Sequence, residues 1–283
     1  EYGAGNCIVA SELARKNPKC RLIANDYNLV PLMECDGNID LMSGDFHDLD
    51  LKAESIDLIY SSHVFEHLDD IKKHLSKSAE LICAGGRYAM ALPHFERWLD
   101  DLNLNVFTQE HPIYPFKDDI LAVFAEFGFK LIRVEEHQDH SLFFCFEKSA
   151  DKTSITHRKP HSKVAQVIKF TDYINDLKED LSILKKNNGS IVVFGANSSA
   201  QILISMLRSL SIEVTAVVDN SLMKQGLKLF GTDLVIKSPK IIKTLTPDDT
   251  VLVFVGVFDQ EIITQIQEIN PSVSIHSKKC FLV

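Results

Sequence analysis

Several features are scarce or missing in this chain of 283 residues, and each absence narrows what it can be. Six cysteines are present, at Cys7, Cys20, Cys35, Cys83, Cys145 and Cys280, but no two form a C-x-x-C pair. Their spacing suggests neither a cysteine zinc site nor a disulfide framework. Scattered, reduced thiols predict a cytoplasmic protein. No apolar run approaches the roughly 18 residues of a membrane span, and no charged-then-apolar leader opens the chain. Basic charge is in deficit, 30 Lys and Arg against 39 Asp and Glu, for a net charge of −9. Nucleic acid and anionic membrane are therefore poor main partners, since both require a basic face. An initiator Met is missing too, and the first residues already lie inside a motif. The expectation is a chain truncated at its N-terminus, lacking most of a central strand.

What is present is ordinary globular material. Hydrophobic residues make up 45% and charged residues 24%, and the length suits two domains. In the first half, strand-like and helix-like segments alternate. A helix is predicted over Ile8–Lys16, then strands over Cys20–Ala24, Ile39–Met42 and Ile56–Tyr60. A helix over Leu68–Leu81 follows, then a Gly85-Gly86 turn, a strand over Arg87–Leu92 and a helix over Asp118–Phe127 capped by Gly128. Strands over Lys130–Glu135 and Leu142–Phe146 close the half. The pattern implies a mainly parallel sheet covered by helices.

Residues Ala150–Pro160 are polar, basic and aperiodic, and read as a linker. Apolar spacing over Lys163–Lys186 predicts a connecting helix stopped by Asn187-Asn188-Gly189. A second α/β unit then begins, with strands over Ile191–Phe194, Glu213–Val218 and Val251–Val255. Its helices are predicted over Ala200–Leu210 and from Gln260 to Ile269. The predicted domains are 1–150, a linker and helix over 151–188, and 189–283.

The chain opens Glu1-Tyr2-Gly3-Ala4-Gly5. A strand end, Gly-x-Gly and a helix bring backbone close to a ligand without side-chain obstruction. Asp26 ends the next strand, about 20 residues on, where an acid can hold ribose hydroxyls. Asp45 ends the third strand, where a carboxylate or the neighbouring backbone at Phe46 can meet an adenine.

Together with the run Asp57–Leu68 and the Gly85-Gly86-Arg87 turn, this order of motifs resembles the class I S-adenosylmethionine-dependent methyltransferases. The resemblance covers about 90 residues and implies a Rossmann-like sheet with S-adenosylmethionine as cofactor. It assigns Glu1, Gly3, Ala4, Gly5, Asp26, Asp45, Phe46, Ser61 and His63 to cofactor binding. Cys7 departs from the pattern, standing where a third glycine is usual. His63-x-x-Glu66-His67 also has the order of an inverted zinc-peptidase motif. That chemistry needs all three side chains on one helix, and this segment starts at a strand end. No metal site is therefore expected, and Glu66 and His67 are expected to act locally in their helix.

The excursion after the fifth strand contains Phe107-Thr108-Gln109-Glu110-His111-Pro112-Ile113-Tyr114. It resembles the catalytic loop of the nucleotide-sugar C-methyltransferases, Tyr-His-Glu-His. Glu110 and His111 keep the last two positions, Thr108 and Gln109 replace the first two, and Tyr114 falls on an aromatic position. The resemblance implies a small-molecule acceptor, a nucleotide-linked keto-sugar, methylated at carbon. His111 would take the proton next to the ketone and Glu110 would orient it, with Tyr114 beside the substrate. Loss of the tyrosine leaves O- or N-methylation of another small molecule open. A nucleotide-binding module without chemistry is open as well.

The same enzymes carry a C-terminal Rossmann-like domain. Its echoes here are Val193-Phe194-Gly195-Ala196, Val218-Asp219, Lys224-Gln225-Gly226, Gly231-Thr232 and Asp259-Gln260-Glu261-Ile262. The loop from Gly195 to Ser199 has free amides at a helix start, a ready anion site. Gly195, Asn197, Ser198 and Lys224 are the substrate-binding candidates. A domain that only closes over the acceptor, or pairs with a second copy, is the alternative. No complete G-x-G-x-x-G supports an NAD site. Nothing in the sequence corresponds to the family's cysteine-rich zinc domain, and oligomeric state is not readable.

Overall fold

A computed structural model of the chain describes residues 1–30, 38–108, 110–149, 163–186 and 189–277. The predicted linker Ala150–Pro160, Gln109 and the Asn187-Asn188 helix stop lie outside the described residues.

In chain order the first elements are α1 (Ile8–Lys16), β1 (Leu22–Asp26), β2 (Ile39–Ser43), β3 (Ile56–Ser62), α2 (Ile71–Leu81), β4 (Ile82–Pro93) and α3 (Phe95–Asp100). Then come α4 (Lys117–Glu126), β5 (Phe129–His137), β6 (Ser141–Lys148) and α5 (Val164–Leu181). The chain continues through β7 (Ile191–Phe194), α6 (Ser198–Ser209), β8 (Ala216–Val218), β9 (Ile236–Lys237), β10 (Thr250–Val253), α7 (Asp259–Ile269) and β11 (Ser274–Ser277). The described chain falls into two compact units: residues 1–98 with 110–149, and 99–108 with 163–277. The segment after Trp98 and helix α5 thus group with the second unit, whereas the sequence suggested an unbroken 1–150 block.

In the first unit, β1 and β2 pair in parallel, and β3, β4, β6 and β5 form the other half of the sheet in that spatial order. Tyr2 bridges both Asn25 of β1 and Ser61 of β3 in the parallel sense, joining the halves at the centre. The order is β2-β1-Tyr2-β3-β4-β6-β5, with β6 antiparallel to both of its neighbours. The hairpin β5–β6 therefore departs from a purely parallel sheet. Aromatics fill the space under α4: Phe124 stacks on Phe146 at 4.1 Å and meets Tyr88 edge-on at 5.2 Å.

Caps explain where helices start. Asp70 accepts the N–H of Lys73 at 2.9 Å, so α2 begins at Ile71 and not at Leu68. The preceding Phe65–His67 is a single 3-10 turn instead. Asn197 accepts the N–H of Ala200 at 3.0 Å, which starts α6 two residues before the predicted Ala200. Gly128 follows α4 with φ +81°, the left-handed stop expected of it. The predicted turn at Gly85-Gly86 is absorbed into β4, with a register shift against β3 between Ile56 and Leu58.

The second unit is a five-stranded, all-parallel sheet in the order β11-β10-β7-β8-β9. Its core joins Val192, Phe194, Val218, Val251 and Val253 to Ile262 and Ile266 of α7. Strands β9 and β11 were not legible in the sequence. One has two residues, and the other mixes Ser and His with a single Ile. No described helix is long and apolar enough to cross a membrane.

Candidate active site

A glycine cradle, the candidate cofactor site, is built by main-chain hydrogen bonds at the centre of the first sheet. Asn25 donates its N–H to the carbonyl of Glu1 at 2.9 Å, and Tyr2 donates to Tyr60 at 2.8 Å. The chain then turns sharply, and Gly3 and Ala4 both donate to the Asn25 carbonyl, at 2.9 and 3.0 Å. Gly3 has φ +73°, and a Cβ there would run into Cγ2 of Val64. Gly5 has φ +48° but faces open space within 4 Å. Glycine at the first position thus lets the loop pack on the protein, while at the second it leaves room for a ligand. Cys7 is buried with φ +58° and takes up the left-handed conformation that a glycine would adopt freely.

Asp26 ties the cradle together. Its Oδ2 accepts the N–H of Gly5 at 2.9 Å and its Oδ1 accepts that of Asn28 at 3.0 Å. Each carboxylate oxygen has two lone pairs, so capacity remains for a ribose hydroxyl. Asp45 caps the 3-10 turn Phe46–Asp48: its Oδ1 accepts the His47 N–H at 2.9 Å and lies 2.7 Å from His47 Nδ1. The main-chain N–H of His47 holds the Asp45 carboxyl below the usual range. Glu1 is turned toward the Ala10 N–H in the first turn of α1, and burial lifts its carboxyl above the ordinary value.

Two of the candidate cofactor residues have buried side chains. Phe46 is 5% exposed, its ring 4.9 Å from both Tyr2 and His74, so only its main chain can reach an adenine. Ser61 is 1% exposed on the central strand β3, and its hydroxyl is closed to any ligand.

His63 stands at the cradle's far edge, in a left-handed turn with φ +54°. Its Nδ1 lies 3.3 Å from Oε1 of Glu66 and its Nε2 3.2 Å from Oγ of Ser141. Ser141 Oγ in turn lies 2.7 Å from His140 Nδ1, and Trp98 packs on His140 at 5.3 Å. Glu66 is 1% exposed, and its Oε2 has no hydrogen-bond partner among the described residues. The buried carboxylate faces His111 and His67: one ligating atom from each of the three lies within 4.8 Å of the others. His111 is walled by Phe95 at 5.6 Å and Tyr114 at 6.0 Å. Burial pushes its imidazole below the ordinary histidine range, with the Glu66 charge working in the opposite sense.

Glu66 and His67 therefore do not serve a helix locally. They leave the 3-10 turn before α2 and converge on His111, which arrives from the segment after α3. Glu110 is exposed, and its contribution is the main-chain carbonyl, 2.7 Å from Nδ1 of His67. The carboxylate acting most strongly on His111 is Glu66. His140 and Ser141 belong to the run Asp139-His140-Ser141-Leu142, which the resemblance to the C-methyltransferases also includes. Glu66 and His67 stand in the His-x-x-Glu-His run, but their third companion lies far along the chain.

In the second unit, Gly195, Asn197, Ser198 and Lys224 gather at the turn between β7 and α6. Gly195 has φ +96° and donates to the Val218 carbonyl at 2.7 Å. A Cβ there would meet Val255. Asp219 accepts the Ala196 N–H at 2.8 Å and the Ser221 N–H at 2.8 Å. Lys224 Nζ donates to the Ala196 carbonyl at 3.0 Å and lies 3.4 Å from Asp219 Oδ2. The anion site expected here is thus partly filled by the protein: Asp219 supplies the carboxylate, the Asn197 side chain takes the Ala200 amide, and the Lys224 ammonium is engaged.

Two family models match the chain in order. Residues 1–90 match a methyltransferase domain and residues 148–273 a C-methyltransferase C-terminal domain. No curated protein matches the chain. Solved structures that resemble it include an S-adenosylmethionine-dependent methyltransferase from Mesorhizobium loti, at 15% identity and TM-score 0.43, covering 52% of this chain and 88% of that one. A SAM-dependent methyltransferase from Aquifex aeolicus is similar at 13% identity and TM-score 0.41, covering 52% and 79%. The 1,6-didemethyltoxoflavin-N1-methyltransferase of Burkholderia thailandensis, crystallised with 1,6-didemethyltoxoflavin and S-adenosylhomocysteine, is similar at 13% identity and TM-score 0.43, covering 52% and 69%. With the sheet order, the glycine cradle and the strand-end Asp26 in place, the two matching domains make this chain an S-adenosylmethionine-dependent methyltransferase.

Proposed function

We propose that the chain methylates carbon next to the ketone of a small, nucleotide-linked sugar, with His111 as the base. The observation that carries this reading is the burial of Glu66 against His111. Carbon beside a carbonyl is a poor nucleophile until it loses a proton. A neutral imidazole is suited to take that proton, and a buried carboxylate beside it stabilises the imidazolium that results. Glu66 has the place that the sequence suggested for Glu110. Phe95 and Tyr114 pack beside the half-buried imidazole.

The cradle residues fit S-adenosylmethionine. Gly3, Ala4 and Gly5 would carry its backbone-facing edge, Asp26 its ribose, and Asp45 with the Phe46 amide its adenine. When bound, it supplies an electrophilic methyl group. The fold then holds two reactants at fixed positions, which replaces a bimolecular encounter. The matched C-methyltransferase C-terminal domain supports transfer to carbon and a role for the second unit in acceptor binding. Gly195, Asn197, Ser198 and Lys224 remain the acceptor-side residues of that unit.

The test is transfer of a ¹³C-labelled methyl group to a nucleotide-linked keto-sugar, read by NMR. A new carbon–carbon bond beside the carbonyl, lost in His111→Ala, is expected. A label on oxygen or nitrogen, or full turnover by His111→Ala, would overturn the reading.

A further inference from the structure

We propose that Glu66, His67 and His111 form a binding site for a first-row divalent transition cation. Three features independent of the cradle carry this. The three side chains each offer a ligating atom within 4.8 Å of the others. Metal–nitrogen and metal–oxygen bonds are about 2.0–2.2 Å, so one ion reaches all three after small side-chain rotations.

The second feature is the orientation of His67. Its Nδ1 lies 2.7 Å from the Glu110 carbonyl oxygen. A carbonyl only accepts, so Nδ1 carries the proton and the Nε2 lone pair is left for a ligand. A backbone carbonyl holding the far nitrogen is the support that metal-bound histidines commonly have. The third feature is unmet polarity. Oε2 of Glu66 and Nδ1 of His111 are both buried without a hydrogen-bond partner among the described residues. A buried carboxylate oxygen without a partner is costly, and a cation satisfies it.

Two imidazoles and one carboxylate suit zinc, cobalt, iron and manganese more than magnesium or calcium, which prefer all-oxygen sites. Three protein ligands leave open positions, as in sites where a metal meets solvent or substrate. The His63-x-x-Glu66-His67 order is incidental to this set, because His63 turns to Glu66 and Ser141 instead. One consequence rests on the base assigned to His111 above. A cation held by that imidazole occupies the lone pair needed for the proton, so the loaded protein is inhibited.

Metal-stripped protein titrated with Co²⁺ tests the site through the visible absorption of the bound ion, without reference to activity. One ion per chain is expected at this site, with affinity reduced tenfold or more in His67→Ala and in Glu66→Gln. His67 is exposed, so its variant keeps the fold if the buried glutamate's does not. Folded protein that binds no Co²⁺, or a His67→Ala variant that binds with unchanged affinity, would overturn the site. In the transfer assay, Zn²⁺ is expected to lower the rate tenfold or more and a chelator to restore it. An unchanged rate with the site loaded would overturn the inhibition. Failure to methylate any acceptor would sink the reading of the reaction and leave the Co²⁺ result standing.

Discussion

His67 Nδ1 and the carbonyl oxygen of Glu110 lie 2.7 Å apart across 43 residues of sequence. The contact fixes the segment after α3 against the turn after β3, and so brings His111 to the buried Glu66. It also separates two neighbours that sequence treats as a pair: Glu110 works through its main chain, His111 through its side chain.

That division predicts an order of effects. His111→Ala and Glu66→Gln should lower methyl transfer by about 10²–10⁴-fold, the range for losing a general base or its support. Glu110→Ala keeps the carbonyl that His67 uses and should cost far less. Steady-state rates of the three variants, each with cofactor binding measured separately, check the order. A Glu110 variant as damaged as His111→Ala would return the partner role to Glu110.

The cradle glycines should differ. Gly3→Ala places a methyl against Val64 and forces a positive φ, a combined cost of about 2–4 kcal/mol. Gly5→Ala meets open space and pays only for its conformation, about 1–2 kcal/mol. Urea unfolding separates them. Val64→Ala should recover part of the loss in Gly3→Ala and none in Gly5→Ala.

Acid should destabilise the first unit through His74. Burial pushes this imidazole down from 6.5 to about 3, and its Nε2 pairs with the Tyr88 hydroxyl at 2.8 Å. The unfolded chain binds a proton there below pH 6.5 and the folded chain does not. The stabilisation is therefore full above pH 6.5 and is lost as pH falls toward 3. Between pH 7 and 5 the loss is about 2 kcal/mol from this residue. His74→Gln removes the titration, so its unfolding free energy should fall less over that interval. Parallel slopes for the two proteins would refute the assignment.

Asp219 holds the loop after β7 and should have a structural effect. Asp26 and Asp219 make the same pair of bonds in their units, one to the loop after the preceding strand and one to their own turn. Asp219→Ala leaves the Ala196 and Ser221 amides without that acceptor and should cost about 1–3 kcal/mol. Thermal unfolding reads it directly, and an unchanged midpoint would contradict the role.

Much of this architecture was legible in the residues because it follows local rules. Ile8–Lys16 is a helix as its spacing predicts, and Asp26 ends its strand at the distance that a ribose-binding acid requires. Gly128 stops α4 as a left-handed cap. What sequence could not give were pairings across long separations. The ring of Phe46 packs between Tyr2 and His74, which leaves its main chain as the part that can meet an adenine. Ser61 is expected at the cofactor from the resemblance, yet its side chain is buried on the central strand β3. The sequence pattern puts Glu66 near the start of a helix, but Asp70 caps that helix four residues later. The meeting of Glu66 with His111 depends on the tertiary path of the segment after α3, which no periodicity encodes.

Binding of S-adenosylhomocysteine, measured by titration calorimetry, tests the central claim most directly. Micromolar affinity, about −8 kcal/mol, reduced tenfold or more in Asp26→Ala, is the predicted result. Folded protein that binds no S-adenosylhomocysteine would contradict the assignment of the cradle and with it the methyltransferase.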